Sequence, residues 1–221
     1  MTKNAPESST PADGMSKHRI DALTDGIFAV AMTLLVIELK IPDASQIRGI
    51  EALLGALGHL IPKFIGWVVS FTVLALFWYG HHRAFHYVHK VNGRLVALNI
   101  LLLAFVSLMP FASGLTGEYA RALPAQIIYS ITMACTACGA LLLNRYVYLN
   151  PQLCSTPMPE GVYRAARFRT SMLILISAVA VIIAMYIPGA GNSAFALMFV
   201  ASPIARRIEA KYAPSSIAAT P

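Results

Sequence analysis

Few side chains in this sequence have the type and spacing for chemistry, and they fall into three groups. His81, His82, His86 and His89 form the densest cluster. On a continuous helix, 82, 86 and 89 would follow i, i+4, i+7 spacing, a pattern that approaches a metal or titrates near neutral pH. No cysteine or carboxylate stands close by to complete a ligand set, and Arg83 and Lys90 give the cluster the look of a membrane-headgroup region. Cys135 and Cys138 are spaced as a thiol pair, but both fall in a long apolar run where they read as small packing residues. The third group is acidic: Asp21 and Asp25 follow Arg19 at the start of another apolar run. No glycine-rich phosphate loop, His-Glu-x-x-His helix or Gly-x-Ser-x-Gly elbow occurs, so nothing supports an enzyme.

The elements that must carry these residues are membrane spans. Hydrophobic residues make up 57% of the chain and charged ones only 12%, which is lipid-facing composition. Spanning a hydrocarbon core about 30 Å thick takes roughly 20 apolar residues. Six stretches qualify, at 20–41, 60–80, 95–115, 123–144, 170–188 and 190–205, the last being short. Their continuous Leu, Ile, Val, Ala and Phe content indicates helices, because a helix satisfies its own backbone polar groups in lipid.

The net charge of +7 fits a membrane better than nucleic acid, since the basic residues lie in short juxtamembrane segments. The tails and the second and fourth loops hold 13 of the 17 Lys and Arg residues, leaving Lys40, Arg48, Lys63 and Arg121 for the other side. That asymmetry predicts an even number of spans with both termini in the cytoplasm. Residues 1–18, rich in Ser, Thr, Pro and Ala, read as a disordered cytoplasmic tail without a signal peptide. Residues 19–207 form the membrane domain, and 208–221 a flexible tail.

Within that frame the first span concentrates the functional signals. An intramembrane carboxylate needs a partner, and Asp25 has two on the cytoplasmic side: Arg19, or the Trp78, His81, His82 group that ends the second span. The simplest role is a staple between the two helices. Further along, Val30, Leu34 and Ile37 recur at i, i+4, i+7 with Thr33 beside them. Several copies of that face around an axis would form a hydrophobic constriction with a ring of hydroxyls.

The run from Arg19 to Gly26, Arg-Ile-Asp-Ala-Leu-Thr-Asp-Gly, leads into Ile-Phe-Ala-Val-Ala-Met-Thr-Leu-Leu. It resembles the transmembrane protein 175 family of potassium channels, which opens with Arg-x-x-x-Phe-Ser-Asp-Gly. Leu23 and Thr24 replace the Phe and Ser. Ser70-Phe71, Trp78, His81-His82-x-x-Phe85, Leu98-Asn99 and Pro110-Phe111 also look like family signatures, so the resemblance covers about 19–111. It implies a pore lined by the first helices, narrowed by bulky apolar side chains at Val30, Leu34 and Ile37, with a Thr layer at Thr33. No Thr-Val-Gly-Tyr-Gly filter is present. The family's bracing contacts map to Arg19, Asp25, Trp78 and His81.

One repeat of six helices implies a homotetramer, and geometry agrees, because one apolar stripe cannot enclose a pore. The expectation is an all-α, cell-membrane channel for potassium ions, with modest preference over sodium and no cofactor or nucleic-acid partner. A hydrophobic ring offers few fixed oxygens to replace a hydration shell. The alternatives are a proton-coupled secondary transporter and a non-conducting membrane scaffold.

Overall fold

A computed structural model describes residues 16–40 and 49–212. Among them the regular structure is helical, apart from one isolated bridge between Val88 and Cys154. The order is α1 (Lys17–Leu34), α2 (Ile50–Phe85), α3 (Gly93–Glu118), α4 (Leu123–Leu149), α5 (Glu160–Tyr186) and α6 (Leu197–Lys211). A 3₁₀ turn, Leu35–Glu38, prolongs α1, and another, Gly191–Ala196, precedes α6.

Helices α1 to α5 are each long and apolar enough to cross a membrane. The sixth apolar stretch is shorter: its 3₁₀ helix and the residues of α6 before Arg206 rise together about 25 Å, so the faster rise of 3₁₀ winding brings it near the roughly 30 Å of a hydrocarbon core. Pro188 and Gly189, the latter at φ +94°, stop α5 and turn the chain back towards it.

Three boundaries differ from those read in the sequence. Lys17 and His18 are the first residues of α1, and α6 continues to Lys211, so 17–18 and 208–211 are helix rather than tail. Residues 1–15, 41–48 and 213–221 lie outside the described residues. The third difference is larger: α2 has 36 residues, about 54 Å of helix, where 21 were expected. Its early residues Ile50, Leu53, Leu54 and Leu57 are apolar and exposed. Pro62 withdraws one backbone hydrogen bond between this overhang and the main span.

The core lies between α2, α3, α4 and α5, around Leu74, Val106, Met109, Tyr129 and Met133. Ser70 on α2 lies 2.9 Å from both Ser113 on α3 and the Tyr129 hydroxyl on α4, so the polar groups of three helices satisfy one another in the interior. Pro110 is buried and α3 runs unbroken through it. Cys138 is exposed and Cys135 half-buried, both as free thiols on α4.

Gly139 marks a close approach of α3 and α4: a Cβ there would sit 3.2 Å from the Leu102 Cα. Gly139→Val should force the helices apart and remove roughly 1–3 kcal/mol of stability. Thermal unfolding of the detergent-solubilised protein reads the change, and an unaltered midpoint would show that the contact is slack.

Candidate pore helix and its brace

Helix α1 has two unlike faces. Ile20, Thr24, Phe28, Ala31 and Leu35, at spacings of four, four, three and four, are buried. They face α3 and α2, with Phe28 packed into the main core and Ile20 into a second cluster around Leu95, Leu143 and Val147. The opposite face is largely uncovered among the described residues, with Ser107 of α3 beside Val30 and Leu34 along one edge. Val30 is 56% exposed, Leu34 41% and Ile37 63%, although all three are large and apolar. Thr33 shares that face, and its hydroxyl donates to the Val30 carbonyl at 2.9 Å, which leaves the oxygen's lone pairs turned outward.

The 3₁₀ turn sharpens this stripe. Three residues of α-helix rotate through about 300° and three of 3₁₀ helix through about 360°, so winding down after Leu34 swings Ile37 towards a position directly above Leu34. Val30, Leu34 and Ile37 thereby form a straighter ridge than an unbroken α-helix would give.

A polar brace fixes which face points outward. The Trp78 Nε1–H on α2 donates to Asp25 Oδ1 at 2.8 Å. The His82 ring stacks on Trp78 at 5.9 Å between centroids, and its neighbours include Asp21 and Asp25 in a small cleft at the end of α1. Deeper in, His81 Nε2 lies 2.8 Å from Asn99 Oδ1, and Asn99 Nδ2–H donates to the Thr24 hydroxyl at 3.0 Å. An amide oxygen only accepts, so His81 holds its proton on Nε2. All three side chains are buried, and the chain of bonds joins α2, α3 and α1.

Of the two partners that the sequence offers Asp25, the structure selects Trp78. Arg19 is exposed and forms no ion pair among the described residues, and His81 is committed to Asn99 instead of Asp25. Sequence reasoning left Thr24 and Asn99 out of the brace. The signal was there: Thr24 supplies the hydroxyl that a Ser would, and Asn99 belongs to the Leu98-Asn99 pair. The histidine triplet does not form a helical stripe, because α2 ends at Phe85 and His89 lies in the following loop, its N–H bonded to the Leu153 carbonyl.

The family described as endosomal/lysosomal potassium channel TMEM175 matches residues 19–110, the stretch that holds α1 and its brace. A potassium channel of Streptomyces collinus is 33% identical over 158 residues, covering 70% of this chain and 75% of that one. This chain belongs to the TMEM175 family. The human endosomal/lysosomal proton channel TMEM175 is 33% identical over 127 residues, 55% of this chain but only 25% of its own length. In fold, the crystal structure of a lysosomal potassium-selective channel TMEM175 homologue from Chamaesiphon minutus matches with a TM-score of 0.68 at 24% identity, covering 90% of this chain and 98% of that one. The protein is therefore a multi-pass membrane protein of an ion-channel family, and its relatives are channels rather than enzymes.

In this TMEM175-family chain the brace should report on stability through its buried partners. Asn99→Leu strands the His81 Nε2–H and should remove about 1–3 kcal/mol, Thr24→Val should remove less, and Thr24→Ser should be nearly neutral. Melting of the purified protein in one detergent ranks the three variants. Equal effects of Thr24→Ser and Thr24→Val would break the proposed bond to Asn99.

Proposed function

We propose that the protein is a potassium-permeable channel of four subunits, with α1 of each lining a central pore. The observation that carries this is the outward face of α1, where an apolar ridge of Val30, Leu34 and Ile37 runs beside the Thr33 hydroxyl, largely uncovered among the described residues. One such ridge cannot enclose a path, whereas a four-fold ring places equivalent side chains around one axis. Val30, Leu34 and Ile37 then form a constriction that excludes water when narrow. Thr33 offers oxygens to a partly dehydrated ion, and the larger potassium ion, cheaper to dehydrate, passes more readily than sodium. The permeant ion is the only small species required, without a cofactor. The charge asymmetry supports both termini in the cytoplasm of a cell-membrane protein.

A second reading, proton permeation through the same pore, is favoured by the animal relatives, which are named proton channels, and by the cleft that gathers Asp21, Asp25, His82 and His86. A proton-coupled transporter fits less well. Discontinuous helices are its usual device, and α3 continues through Pro110. A scaffold without conduction is the outcome if no flux occurs.

Potassium and sodium flux into liposomes holding the purified protein tests the reading. Leu34→Ala and Ile37→Ala should raise passive flux, and Thr33→Val, which keeps the shape but removes the hydroxyl, should lower the potassium-to-sodium ratio. Unchanged flux in both alanine variants would remove α1 from the pore. Flux that saturates and follows a pH gradient would favour the transporter.

A further inference from the structure

Away from the ridge on α1, the far side of the bundle carries a charged cleft between α2, α5 and α6, of about 780 Å³. Tyr79, Arg83, Arg169, Ser202, Arg206 and Glu209 line it. Three arginines and one glutamate leave two positive charges in excess, and their pairing shows which two. Arg83 takes both oxygens of Glu209, Nη1–H donating to Oε2 at 2.9 Å and Nη2–H to Oε1, and its guanidinium also lies over the Tyr79 ring at 5.8 Å. That pair is neutral as a unit. Among the described residues no carboxylate pairs with Arg169 or Arg206.

The depth of these groups is defined by three independent apolar segments. Arg83 follows the end of the second at 80, Arg169 precedes the start of the fifth at 170, and Arg206 follows the end of the sixth at 205. All three lie where hydrocarbon gives way to headgroups, on the side richer in Lys and Arg. Arg169 is only half exposed, and an uncompensated guanidinium at that depth is costly unless an anion meets it. The anion's chemistry follows from the donors. Guanidinium groups match the oxygens of phosphate, often in pairs of parallel bonds, and Ser202 adds a hydroxyl on the same wall.

We propose that this cleft binds a phosphate-bearing anion at the membrane surface, with Arg169 and Arg206 as its two cationic contacts and the Arg83–Glu209 pair as a fixed wall. A phosphodiester of an anionic lipid headgroup and a soluble phosphate offer the same oxygens. The lipid is present at this depth at high local concentration, and basic pockets between helices on the cytoplasmic side are suited to it. The inference uses the depth of the arginines and stands apart from what the pore conducts, because its readout is binding.

The test is native mass spectrometry of the full-length protein, delipidated in detergent and titrated with phosphatidylglycerol, with phosphatidylcholine as the zwitterionic comparison. The wild type should retain phosphatidylglycerol preferentially, and Arg169→Gln with Arg206→Gln should weaken retention about ten-fold or more. Arg206→Gln alone changes an exposed side chain, so it keeps the test informative if the double variant does not fold. Arg121→Gln, on the opposite side, should leave retention unchanged. Inorganic phosphate that displaces the lipid, or binds in its absence with the same dependence on Arg169 and Arg206, would assign the site to a soluble phosphate. Equal retention of both lipids with no binding of phosphate, or equal anion binding by wild type and both variants, would overturn the proposal.

Discussion

Hydrocarbon supplies no water to a polar side chain that lacks a partner, and the placement of α1 follows from that constraint. Thr24, Asn99 and His81 are buried on three different helices, and each is satisfied only by the others. Their hydrogen bonds have one good solution, so the rotation of α1 about its own axis is fixed at the level of Thr24. Everything further along the helix inherits that rotation. Phe28, Ala31 and Leu35 turn inward because Thr24 does, and Val30, Thr33 and Leu34 turn away. Dispersion alone would fix the rotation less sharply, since lipid tails pack against an apolar face about as well as protein does.

The bundle outside α1 obeys the same rule by other means. Ser70, Ser113 and Tyr129 satisfy one another in the middle of the core, while hydroxyls such as Thr136, Thr170 and Ser177 donate to carbonyls four residues earlier in their own helices. Neither arrangement needs a charge. Among the described residues the ion pairs between helices lie near the ends of the apolar stretches, where Lys63 meets Glu118 at 3.0 Å and Arg83 meets Glu209. Most buried polar groups are thus neutral and bonded within or between helices, Trp67 Nε1 and Asn192 Oδ1 being without a partner among the described residues, and charged groups sit where headgroups and water share the work of solvating them.

The fold was largely legible in the sequence because lipid imposes one dominant signal, apolar length. The five long helices declare themselves that way. The sixth was a short apolar run that charge alternation supported, and its first residues wind as 3₁₀ helix, which rises faster than an α-helical count allows. The overhang of α2 was hidden for the opposite reason: an apolar run marks where lipid lies but not where a helix must begin. At the candidate site, periodicity singled out Val30, Leu34 and Ile37, which lie exposed on α1, and the cost of a charge in lipid singled out Asp25, which accepts from Trp78. Neither rule reaches Asn99, whose role depends on a contact between residues 75 positions apart. Periodicity also misled at His86 and His89, because it does not reveal that α2 stops at Phe85.

Helix α2 has one further property, visible when its polar contacts are traced together. Trp78 ties it to α1, Lys63, Ser70 and His81 tie it to α3, Ser70 ties it to α4, and Arg83 ties it to α6. In the language of networks it is the hub: among the described residues no such bond joins α1 directly to α6, and α2 holds one to each. The exposed ridge of α1 and the charged cleft beside α6 are therefore keyed to one shaft, and a sliding of α2 along its own axis would load both at once.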